Sequence, residues 1–143
     1  MVRKILVGLL AGVVFLVLDG LINANPLAQR LYAVYQPLAR PSVNALAGSA
    51  IDLAYGVVLA LLFVVLRAGL PGRTAFTKGL AFGLVVWFLR VCMRVAGEWV
   101  MMVVPAPTHA YTLLAGLLQI LIVTEVIALL LPEARHRETR PPA

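Results

Sequence analysis

Apolar residues run through this chain in four long blocks, and polar residues collect in the breaks between them. The blocks extend from about Ile5 to Ile22, Ile51 to Leu66, Gly79 to Val104 and Tyr111 to Leu131. Each is near the roughly 20 residues that span about 30 Å of hydrocarbon as a helix. Lipid offers no partner to backbone N–H and C=O groups, so a spanning segment must be a helix or part of a closed barrel. The short alternating strands of a barrel are absent, which leaves helices. Pro71-Gly72 ends the second block, Pro105 and Pro107 break the chain before the fourth, and Pro132 closes it. The pattern predicts an all-α, membrane-embedded four-helix bundle over residues 1–132, followed by a polar cytoplasmic tail over 133–143.

The first connection, Asn23 to Ser49, is too long for a tight turn. Leu27, Leu31, Val34, Tyr35 and Leu38 recur at helix-like spacing within it. A short extracytoplasmic amphipathic helix lying on the bilayer or capping the bundle is therefore expected. Tyr32 and Tyr35 suit the membrane–water boundary, where a ring can keep one end wet.

Composition sharpens the choice of solvent. The 143 residues are 62% hydrophobic and 13% charged, against about half and about a quarter in a soluble domain. A chain this short buries only about 68–70% of its unfolded surface, so the excess cannot all be core. A water-soluble monomer is excluded, and the single cysteine excludes a disulfide scaffold. The net charge of +6 does not indicate nucleic acid. Arg3, Lys4, Arg67, Arg73, Lys78, Arg135, Arg137 and Arg140 punctuate the ends of apolar blocks instead of sharing a solvated face. Those eight fall on one side of the membrane, against Arg30 and Arg40 on the other. The imbalance places both termini in the cytoplasm, as expected of a multi-pass protein of a bacterial inner membrane. Met1 to Ala24 also has the basic start and apolar centre of a signal peptide, but Ile22 fits poorly three positions before a cut.

A charge inside a span is costly and calls for a reason. On a straight helix, at about 100° per residue, Arg90, Arg94 and Glu98 share a face with Gly79, Gly83, Trp87 and Met101. In the first block Gly8, Gly12, Phe15, Asp19 and Asn23 form a similar stripe. A shift of 71 residues superposes Gly8 on Gly79, Gly12 on Gly83 and Asp19 on Arg90, which suggests a parallel duplication of a two-helix unit. The four glycines are candidate helix-packing positions. Asp19, Asn23, Asp52, Arg90, Arg94, Glu98 and Glu125 form a candidate buried polar ladder, with Arg90 paired to Asp19 or Glu125 and Arg94 to Asp19 or Glu98. Such a ladder is either an electrostatic clasp or a site for an ion, a proton or an anionic ligand.

Other chemistry is thin. Cys92 lies off the charged stripe with no Cys or His near it, and His109 and His136 flank the fourth block on opposite sides. Ser42, Ser49 and Thr108 have no base beside them in sequence, and no nucleotide fingerprint occurs. Neither a metal nor another cofactor is expected, and an enzyme is disfavoured.

The Gly-rich first helix ending in Asp19-Gly-Leu-Ile-Asn23, the long outer loop, and Lys78-Gly-Leu-Ala-Phe-Gly-Leu-Val-Val-Trp87 resemble small four-helix bacterial membrane proteins of unknown function. That resemblance implies a fold and no activity. Small multidrug transporters share the size and helix number, and the likeness would imply proton-coupled export through a glutamate in the first helix. Here that helix offers only Asp19. The expected role is a non-enzymatic accessory or structural subunit, surrounded by lipid and associating with itself or a larger membrane complex, with no nucleic acid. The alternative is a small transporter or channel lined by Asp19, Arg90, Arg94 and Glu125. A water-accessible cavity reaching Arg90 or Glu125 would mark transport, and a dry, paired interior would mark the subunit.

Overall fold

The computed structural model describes residues 1–42 and 44–131; the tail expected over 133–143, with Arg135, His136, Arg137 and Arg140, lies outside the described residues. The described residues form helices and no strand. In chain order these are α1 (Val2–Ala24), α2 (Pro26–Tyr32), α3 (Ala45–Leu66), α4 (Ala75–Trp87), α5 (Met93–Met101) and α6 (Ala106–Leu130). A 3-10 turn over Ala33–Leu38 extends α2, and a π-turn over Phe88–Cys92 joins α4 to α5 into one continuous rod. Four helices are thus long and apolar enough to cross a membrane: α1, α3, the α4–α5 rod and α6.

Two of the long helices start before their apolar blocks because a polar residue outside the block caps them. Asn44 accepts from the Ala47 amide and starts α3 well before Ile51. Thr74 and Thr77 exchange bonds in a capping box that starts α4 before Gly79. Pro107 does not break the chain ahead of α6 but sits in its first turn, where its missing N–H costs nothing. Gly72, at φ 118°, takes the left-handed turn that separates α3 from α4.

Packing is organised around α6. α1 pairs with α3, α4 pairs with α6, and α6 also lies against α1 and α3. Two close glycine approaches make the pairs. A Cβ on Gly8 would sit 2.6 Å from the Val57 Cα, and one on Gly12 would sit 2.7 Å from the Leu53 Cα. From the other side, Gly56 of α3 lies against the backbone of Gly8 and Gly12. In the second pair Gly79 and Gly83 receive Glu125, Ala128, Thr124 and Leu121 of α6. The stripe glycines are helix-packing residues as expected, but the helices they receive are α3 and α6, and all four are used within the chain.

Between the pairs lies an apolar core containing Phe15, Leu59, Phe63, Phe82, Ile120, Val123 and Ile127, each at most 2% exposed. Phe63 and Phe82 meet edge to face at 5.5 Å across it. Below this core, Arg3 donates to the Leu130 carbonyl at 2.9 Å and Arg67 to the Leu131 carbonyl at 3.1 Å. Two basic residues expected to set topology therefore also satisfy the orphan carbonyls at the end of α6.

Candidate functional site

The π-turn decides where the charges go. On a straight helix the line from Gly79 and Gly83 would continue to Arg90 and Arg94. A π-turn inserts one extra residue into the helical path, and the buried line instead passes to Val91 and Val95. Val91 closes against Gly116 of α6, where a Cβ would meet its Cγ1 at 2.9 Å. Arg90 and Arg94 are thereby turned to the edge of the α5–α6 contact, and both are exposed. The expectation that the charged face coincides with the glycine face is overturned.

The edge onto which they turn is a cleft between the two helix pairs, with a volume of about 440 Å³. α1 contributes Asp19, Ile22 and Asn23, α6 contributes Thr112, Ala115, Gly116, Gln119 and Ile120, and the rod contributes Arg90, Val91 and Arg94. Tyr32 and Tyr35, expected at the membrane boundary, line the same cleft from the end that carries α2. They are held there by bonds to the spanning helices. Tyr35 donates to Glu98 Oε2 at 2.8 Å, and the Tyr32 hydroxyl lies 3.3 Å from that of Thr112. Asn25 fixes the approach: its amide meets the Tyr111 hydroxyl at 2.7 Å while its carbonyl oxygen accepts from Ala28 and caps α2.

Arg90 bridges the cleft in an unexpected way. Its guanidinium lies 4.0 Å from the Tyr55 ring centre and 4.7 Å from that of Phe15, spanning from the rod to α3 and α1. Phe15 and Tyr55 are themselves edge to face at 5.2 Å. The aromatic faces attract the cation. Arg90 makes no hydrogen bond or ion pair among the described residues. The proposed pairs with Asp19 and Glu125 are both absent there. Asp19 accepts instead from Gln119 at 3.4 Å, and Asn23 donates back to the Asp19 carbonyl at 2.9 Å. Asp52 stands on α3, three residues before Tyr55, in electrostatic range of both Asp19 and Arg90. Arg94 does form one of its two expected pairs, with Glu98 at 2.8 Å.

Glu125 is not part of this group. Its carboxyl oxygens are buried against Gly79 with no hydrogen-bond partner among the described residues. It does not line the cleft that Arg90 lines, so the ladder is two separate features. The physical reason is again the π-turn together with the Arg90 stacking, which swings the arginine toward α1 and α3 and away from α6. His109 is also displaced from its expected place in a connection: it sits in the first turn of α6, 7% exposed, with both ring nitrogens unpartnered. Among the described residues no group of His, Cys, Asp and Glu has metal-site geometry.

Outside the spanning helices, Tyr35 shows what the cleft does to a titrating group. Burial, and next the bond to Glu98, push its phenol from the ordinary 10.0 up to about 12. A raised acidic pKa favours the protonated fold. The contribution is therefore complete below about pH 10 and is lost as pH rises toward 12. In an ultraviolet titration, wild type should show a tyrosine ionisation near pH 12. Tyr35→Phe should remove that step; an unchanged step would assign it to another ring.

The sequence matches a family model over residues 2–136, a span that includes every residue lining the cleft. The chain belongs to the DUF6789 family, a family of unknown function. No curated protein and no solved structure matches it. What this DUF6789 chain offers chemically is therefore read from its own cleft. Sequence reasoning passed over Gln119, Thr112, Tyr55 and Gly56. Gln119 carried a visible signal, a lone amide within an apolar span. Tyr55 carried none, because an aromatic residue in a spanning helix is ordinary.

Proposed function

We propose that this protein is a non-enzymatic accessory protein of the membrane that binds a small ligand bearing an anionic group in the Arg90 cleft. One observation carries the reading: two arginines line a cavity of about 440 Å³, and Arg90 reaches it without an ion pair among the described residues. Guanidinium groups present planar forks suited to carboxylate and phosphate. Stacking on Tyr55 and Phe15 fixes the Arg90 plane before a ligand arrives, which lowers the ordering cost of binding. Mixed polar and apolar walls are the usual make-up of a ligand pocket of about 300–1,000 Å³. The cytoplasmic position of the termini, inferred from the basic residues, would open the α2-bearing end of the cleft to the far side of the membrane.

The expectation of a structural subunit drew on glycine faces for a partner, and those faces are occupied by the chain's own helices. The transporter reading draws support from the cavity at Arg90. Against passage stands the buried apolar core of Phe15, Phe63, Phe82, Val123 and Ile127, which offers nothing to replace the water shell of an ion. Proteoliposome flux separates the two readings. Binding without passage predicts no protein-dependent movement of inorganic phosphate, small carboxylates or protons between about pH 5 and 8. Flux that disappears in Arg90→Gln would establish a transporter instead.

A further inference from the structure

The cleft holds opposite charges that face the same cavity without joining. Asp19 lines one wall and Arg90 another, and no ion pair links them among the described residues. One Asp19 oxygen receives Gln119 at 3.4 Å, and the other has no hydrogen bond among the described residues. Arg94 spends its Nε on Glu98, which leaves both of its terminal nitrogens without a partner there. Each is engaged separately on its own wall: Arg90 stacks on Phe15 and Tyr55, and the Gln119 amide, shared with the Phe15 carbonyl, lies 3.4 Å from Asp19. What fits between them is a molecule that carries both charges.

We propose that the ligand is a small zwitterion, an oxyanion tethered to a primary ammonium, with the oxyanion on Arg90 and Arg94 and the ammonium on Asp19. This rests on the anion-binding reading above and adds the second charge. The Tyr32 and Thr112 hydroxyls and the Asn23 amide supply further polar contacts, while Ile22, Val91 and Ile120 cover the carbon skeleton. Two sources carry this chemistry: the phosphoethanolamine headgroup of a lipid entering from the bilayer, and a free molecule such as phosphoethanolamine entering from water.

The test uses the full chain, delipidated in mild detergent, with binding measured by native mass spectrometry and by thermal shift. The probes are phosphatidylethanolamine, phosphatidylcholine, phosphatidylglycerol and water-soluble phosphoethanolamine. Wild type should prefer the ethanolamine lipid or free phosphoethanolamine over the choline lipid, which has no ammonium N–H to donate, and over the glycerol lipid, which has no cation. One charge-assisted bond makes that preference roughly tenfold or more. Asp19→Asn should abolish the preference while retaining binding of the glycerol lipid, and Arg90→Gln should weaken every probe. Preference for the lipid alone or for the soluble compound alone identifies the source, and either supports the proposal. Equal binding of the glycerol and ethanolamine lipids with no effect of Asp19→Asn overturns the zwitterion and leaves the anion site standing. No binding of any probe, or binding indifferent to Arg90→Gln, overturns both. Asp19→Glu, which keeps the charge, guards against misfolding: a folded Asp19→Glu protein must retain the ethanolamine preference, and its loss there also counts against the proposal.

Discussion

Gly56→Val should abolish the folded protein, while Gly20→Ala and Gly48→Ala should leave it intact. A Cβ at position 56 would fall on the backbone of Gly8 and Gly12, with no flexible side-chain end that could move aside. The only relief is to push α1 away from α3, and that opens the contact on which Phe15 and Leu59 are buried. Overpacking a core ordinarily costs about 1–3 kcal/mol. Forcing two helix backbones apart along several turns should exceed that range. Gly20 and Gly48 have nothing within 4 Å of a built Cβ. Alanine there removes a helical glycine and should be neutral or stabilising by about 0.5–1 kcal/mol. Monodisperse yield in size-exclusion chromatography reads both. A normal peak for Gly56→Val would mean that α1 and α3 do not approach as described.

Arg90→Ala should cost at least about tenfold in affinity for any anionic ligand of the cleft, the loss expected when a charged hydrogen-bond partner worth about 1.5–3 kcal/mol is removed. Arg90→Lys should recover little of it. An ammonium can neutralise charge, but it cannot stack as a plane between Tyr55 and Phe15 while offering a two-pronged edge. Folded yield should be affected far less than binding, because Arg90 is exposed to the cleft and makes no hydrogen bond or ion pair among the described residues. A clasp would behave in the opposite way. If Arg90→Ala destroyed folding and a second change at Asp19 or Asp52 restored it, Arg90 would be a structural pair and not a ligand group. Isothermal titration with an anionic probe, alongside thermal melts, distinguishes the two.

The existence and approximate extent of the four long helices were legible because apolar length is a direct physical requirement of the bilayer. The α2 segment was legible for a similar reason, from spaced leucines after Pro26. Helix ends were less so: Asn44 and Thr74 act through local capping hydrogen bonds that periodicity does not register. The arrangement of charges was misread for one identifiable cause. Face arithmetic assumes a constant turn angle, and the π-turn at Phe88–Cys92 breaks that assumption in the middle of the charged segment. Before it, Gly79 and Gly83 lie where expected; after it, Val91 and Val95 take the place given to Arg90 and Arg94. The pair Arg94–Glu98 was found because its four-residue spacing lies wholly beyond the turn. Arg90–Asp19 was expected and does not form, since no sequence rule reports that two rings from different helices will hold a guanidinium.

Charge-selective labelling inside the cleft tests most directly whether it is an open, arginine-controlled site. Ala115 lines the cleft, and Ala115→Cys in a Cys92→Ser background gives it a single thiol. In nanodiscs, anionic methanethiosulfonate ethylsulfonate should modify this thiol several-fold faster than its trimethylammonium counterpart, and Arg90→Gln should erase the difference. A thiol inert to both reagents, or one that reacts faster with the cation, would contradict an anion-binding cleft.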